Sequence, residues 1–156
     1  MKPLRNRPGA LPPAVRNALL PAFALLLATQ QPASAADDWQ QIGKGDVGTL
    51  YIQKSTIRTQ GDGIALVYRM DFPAPQKNPK TGKVYQSIHM GSTVFCAPRT
   101  IARGDLTAYA GPGGTGEIVG TQKIPLAMAK PVPIVKDSSD DDLRRFVCDN
   151  KSARRR

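Results

Sequence analysis

The sequence predicts an α+β fold, an antiparallel sheet of about six strands with a short C-terminal helix tied to it by a disulfide. Three observations point there. Period-two alternation with β-branched residues runs from about position 39 to 123, broken only by turn residues. Near the C-terminus the apolar spacing changes to that of a helix. The only two cysteines, Cys96 and Cys148, fall at the end of a strand pattern and inside that helix.

The N-terminus decides which thiol chemistry is open. Residues 1–36 carry Lys2, Arg5, Arg7 and Arg16 and no acid. An apolar run, "ALLPAFALLLA" at 18–28, leads to the small residues Ala33, Ser34, Ala35 and Ala36. A positive start, an apolar centre and an A-x-A site describe a secretory signal peptide, with cleavage after Ala35 or Ala36. The run is too short to span a membrane, which takes about 20 apolar residues. The expected organisation is therefore a signal peptide at 1–36, one domain at 37–150 and a basic disordered tail at 151–156. The product is expected to be exported to the periplasm, or onward to the cell surface or medium.

Export removes four basic residues and no acid, so the formal charge falls from +10 to +6. Four of those six charges are Lys151, Arg154, Arg155 and Arg156. A folded body left with so little positive charge excludes a nucleic-acid domain, which concentrates cations on the body itself.

The strands follow in order. "WQQIG" at 39–43 opens the first. "TLYIQKSTI" at 49–57 sets Leu50, Ile52 and Lys54 on one face against Tyr51, Gln53 and Ser55 on the other. "QGDG" at 60–63 supplies the positive φ of a tight hairpin, so "IALVYRM" at 64–70 returns antiparallel. The stretch 71–83 has three prolines, three lysines and no apolar period, and reads as a solvated loop. "VYQSIHMGSTVFC" at 84–96 is the next strand, kinked at Gly91. Residues 99–110 and 117–123 form the last two, joined by "GPGGTG" at 111–116 as a mobile hairpin tip. Sequential strands usually pair, which makes the sheet a meander.

A proline-punctuated stretch, 124–135, separates sheet from helix. Ser138 or Ser139 is a suitable N-cap, and Asp140, Asp141 and Asp142 then occupy the first turn, where the helix dipole favours negative charge. Leu143, Phe146 and Val147 make one apolar face, with Arg144 and Arg145 directed away from it. In an oxidising compartment two cysteines make one bridge. The separation of Cys96 and Cys148 rules out a C-x-x-C redox motif, and one histidine, His89, is too few for a metal site. A helix this short is marginal alone, so a covalent tie to the sheet is useful.

No residue set promises catalysis or a cofactor. His89 lies mid-strand, with Ser87 and Ser92 nearby but no G-x-S-x-G elbow. "GPGGTG" lacks the lysine of a phosphate loop, and "DSSDDD" lacks the spaced ligands and distal glutamate of a calcium loop. The protein is expected not to be an enzyme.

Trp39, "LYIQKSTI", "ALVYRM", "YQSIHMGSTVFC" and a terminal cysteine after a short helix resemble the surface-adhesin protein E family of Gram-negative bacteria, from Trp39 to Asn150. The resemblance implies an antiparallel sheet with a disulfide-tied C-terminal helix. It also implies a non-enzymatic, adhesin-like protein that engages host extracellular-matrix or serum proteins. Adhesins of the family are typically lipid-anchored, and this chain has no cysteine after the apolar run to carry an anchor. The alternative function is a periplasmic structural or accessory domain of the cell envelope with no host ligand. Arg144, Arg145, Lys151, Arg154, Arg155 and Arg156 are the expected binding residues, an anion-binding strip for a sulfated glycan, an acidic lipid headgroup or an acidic protein.

Overall fold

The structure is a computed structural model and describes residues 38–149. The expected signal peptide and basic tail lie outside the described residues. Seven strands form one sheet: β1 (Trp39–Gly45), β2 (Gly48–Gln60), β3 (Gly63–Lys77), β4 (Val84–Phe95), β5 (Thr100–Tyr109), β6 (Ile118–Gln122) and β7 (Val132–Pro133). Helix α1 (Ser139–Arg144) comes last, and its continuation, Arg145–Asp149, widens into a π-helical turn.

Strands β1 to β6 lie side by side in chain order, each antiparallel to the next, as the alternation predicts. The hairpin between β2 and β3 closes at Gln60 and Gly63, with Gly61 at φ 56°. The irregularity expected at Gly91 is present as a register shift between Met90 and Ser92, where Gly91 faces the wider spacing of β5.

Three expectations need correction. The first is the loop at 71–83. Strand β3 runs on through Lys77, and Gln76 and Lys77 pair with Tyr85 and Val84 after a register shift. Its prolines, Pro73 and Pro75, fall within that shift, and β2 ends its pairing at Thr49–Asp71. No ladder donor is therefore needed on the outer side, the one setting where strand proline is tolerated.

The second is β7, which lies in the proline-punctuated stretch. Val132 and Pro133 pair with Ile101 and Thr100, beside the half of β5 that β6 leaves free. Pro133 has no N–H to offer, but at the rim none is required. The third is the hairpin tip at 111–116, described with the site below.

One face of the sheet is the core. Leu50 and Ile52 of β2, Ile64, Leu66, Tyr68 and Met70 of β3, Val94 of β4 and Ile101 of β5 are buried together with Leu143, Val147 and Cys148 of the helix. The alternation in β3 places every second residue there, so one strand supplies four core side chains. The helix starts as expected: Ser138 is the N-cap, its hydroxyl accepting from the Asp141 N–H at 3.4 Å.

Cys96 and Cys148 are bonded, with their Cα atoms 5.7 Å apart. The covalent tie and the apolar face of the helix thus act on the same contact.

Candidate functional site

The expected anion-binding strip is partly dismantled by its own neighbours. Arg144 does not project into solvent. Its side chain is 12% exposed and bonds Asp141 through Nε at 2.9 Å and Asp149 through both terminal nitrogens at 3.2 and 3.3 Å. Asp141 gathers Arg144, Arg99 at 3.0 Å and the Asp137 N–H at 3.2 Å, and the Arg144 guanidinium beside it holds its carboxyl below the usual carboxylate range.

Arg145 stays half exposed and pairs with Asp142 at 2.8 Å. Arg103 from β5 pairs with Asp140. The aspartates read as helix caps are also counter-ions, so around the helix the arginines are largely compensated. Lys151, Arg154, Arg155 and Arg156 lie outside the described residues.

The other face of the sheet carries a different assembly. Register sets Arg69 of β3 between Tyr51 of β2 and His89 of β4, with Trp39, Asp71, Ser87 and Tyr109 around them. The Arg69 guanidinium carbon lies 4.2 Å from the Tyr51 ring centre and 5.0 Å from that of Trp39, within cation–π range of both. His89 packs between Trp39 at 4.9 Å and Tyr109 at 4.7 Å. Arg69 Nε forms an ion pair with Asp71 at 3.1 Å.

Over one side of this cluster folds the glycine-rich connection, and here the expected mobile tip is corrected. Pro112–Gly114 forms a 3₁₀ turn bonded to the sheet at several points. The Gly113 N–H donates to Asp71 at 3.0 Å and the Gly114 N–H to the Ser87 hydroxyl at 2.9 Å, while that hydroxyl donates to the Gly111 carbonyl at 2.6 Å. Arg69 reaches the Gly113 carbonyl at 3.4 Å. Glycine serves close approach here rather than mobility. Gly114 has φ 75°, and a Cβ there would lie 2.4 Å from His89 Nε2.

Gly114→Ala is therefore expected to lift the turn from the sheet, costing about 2 kcal/mol, the size of a strained backbone position. Urea unfolding and the His89 ring proton shifts measure it. Wild-type values for both would show that the turn is not docked on His89.

The chemistry of the cluster follows from its burial and its hydrogen bonds. Burial lowers the His89 pKa and nearby Arg69 lowers it further, so the imidazole is neutral near pH 7. Its buried Nε2 has no hydrogen-bond partner among the described residues. Neither Ser87 nor Ser92 bonds it, and Ser87 is committed to the turn. Trp39, Tyr51, Arg69 and Tyr109 are each part-buried and held by their neighbours. Nothing in the composition marked them. The signal was parity: Tyr51, Arg69 and His89 alternate with core residues, and only strand register brings them together.

Fold and face define a class: a small disulfide-stapled sheet domain with a preorganised aromatic and arginine surface. The chain belongs to the surface-adhesin protein E family, whose sequence pattern matches residues 39–149. The solved structure of Haemophilus influenzae protein E is similar at a TM-score of 0.55 and 13% identity, over 76% of this chain and 89% of that one. Crystal form II of the same protein gives 0.58 at 13% identity, over 78% and 94%. Protein E from non-typeable Haemophilus influenzae gives 0.54 at 13% identity, over 78% and 82%. At such identities the likeness is one of fold. No curated protein matches the chain by sequence.

Proposed function

We propose that this protein is an exported, non-enzymatic, adhesin-like binding protein that engages a host extracellular-matrix or serum protein through the sheet face opposite the helix. The observation that carries the reading is the Trp39–Tyr51–Arg69–Tyr109 cluster, held in place by Asp71, His89 and the docked turn. Trp, Tyr and Arg are the residue types that dominate interface energetics, and groups already ordered before binding lose less entropy on contact. Family membership supports a binding role. Export rests on the signal-like residues 1–36. An anionic contact at the C-terminus would rely on Arg145 and the tail cations, because Arg144 is already engaged by Asp141 and Asp149.

The test is binding of the exported protein to immobilised matrix and serum proteins, compared with Trp39→Ser/Tyr51→Ser. Truncating interface hot spots costs about 2 kcal/mol or more, so affinity is expected to fall at least ~30-fold. Equal binding by the double variant removes the face from the reading.

One observation favours a periplasmic accessory role instead. Cys96 and Cys148 are both spent in the staple within the folded domain. Fractionation of producing cells separates the two readings. Protein found only in the periplasm supports the accessory role.

A further inference from the structure

We propose that the hairpin joining β3 to β4 is a docking finger for the anionic phospholipid headgroups of a membrane surface. Its geometry follows from register. Pairing with β2 ends at Asp71 and pairing with β5 ends at Ser87, whereas β3 and β4 still pair at Gln76–Tyr85 and Lys77–Val84. Beyond that line the hairpin is a two-stranded arm standing clear of the sheet. From Asp71 to Lys77 it reaches about 20 Å at the usual strand rise.

The tip is ordered. Asn78 Oδ1 accepts from the N–H groups of Lys80 at 2.9 Å and Thr81 at 3.2 Å. The Asn78 N–H donates to the Lys83 carbonyl at 2.9 Å, and the Gly82 N–H to the Asn78 carbonyl at 2.8 Å. Gly82, at φ 70°, permits that closure.

Around this turn Lys77, Lys80 and Lys83 are all exposed, and no ion pair reaches any of them among the described residues. The sequence has no acid between Asp71 and Asp105. Asp71 is taken by Arg69. The helix arginines are neutralised by neighbouring aspartates; these lysines are not.

What selects a lipid surface over a glycan chain is the apolar element beside the charges. Val84 is 49% exposed, next to Lys83 in the chain and paired with Lys77 across the hairpin. Cations flanking a small apolar projection suit the headgroup boundary, where both kinds of group gain. A sulfated chain offers nothing to the valine.

The experiment is co-sedimentation of the exported protein with vesicles of mixed phosphatidylglycerol and phosphatidylcholine, against phosphatidylcholine alone, at rising salt. Each lysine near an anionic surface contributes a factor of about five, so Lys77→Gln/Lys80→Gln/Lys83→Gln is expected to lower partitioning about a hundredfold. Val84→Ser is expected to lower it several-fold with unchanged heparin-column retention, and truncation after Asn150 to leave it largely intact. The proposal is overturned by wild-type protein that ignores the anionic vesicles, by a triple-glutamine variant that still binds them, or by binding lost on tail truncation. Loss of heparin retention in the triple variant with unchanged vesicle partitioning also overturns it, since the finger would then read glycans.

Discussion

Cys148→Ser is expected to destabilise the domain by about 4 kcal/mol, because it frees the chain between positions 52 residues apart. A domain of this size has only about 5–15 kcal/mol in total. Six residues of α-helix and five of π-helical turn do not hold a helix by themselves. Without the bridge, the packing of Leu143, Phe146 and Val147 and the ion pairs of Asp140 and Asp141 are left to hold the helix on the sheet. Urea unfolding of the oxidised protein, the reduced protein and the variant gives the comparison. The last two should coincide at a midpoint well below the first. Three superimposable curves would show that the bridge is ornamental.

Leu143→Ala is expected to cost about 3 kcal/mol, within the range for a fully buried leucine. Leu143 is 0% exposed, in the same cluster as Leu50, Ile52 and Val94, so truncation opens a void between helix and sheet. With the disulfide intact the helix stays attached, which confines the loss to packing. The sharper result comes from combining the two changes. Leu143 and Cys148 stabilise one contact, so the double variant should lose less than the sum of the singles. Strict additivity would mean that the helix folds against the sheet independently of its tie.

Much of this molecule was legible in local sequence. Alternation in "TLYIQKSTI" and "IALVYRM" marked two antiparallel strands and their buried faces, because a side-chain period of two leaves no other way to cover one face of a sheet. "QGDG" marked the hairpin, Ser138 or Ser139 the cap, and Leu143, Phe146 and Val147 the docked face of the helix. Two cysteines behind a signal-like N-terminus marked the staple, and the strand motifs marked the family. Each of these signals depends on residues a few positions apart, or on a pair with no alternative partner.

Tertiary structure decided everything that depended on partners distant in the chain. Prolines at 73 and 75 argued against a strand, yet β3 passes through them because register leaves its outer side unpaired there. Val132 and Pro133 became a strand only because β6 stops short along β5. The glycines at 111–116 signalled mobility, and the carboxylate of Asp71 and the hydroxyl of Ser87 turned that freedom into docking. Arg144 followed the helical period away from the apolar face and was captured by Asp141 and Asp149. The Arg69 cluster drew on five strands, and none of their segments alone contains its chemistry. Local sequence determines which way a side chain points along its own element, whereas the groups it meets are set by register and long-range packing.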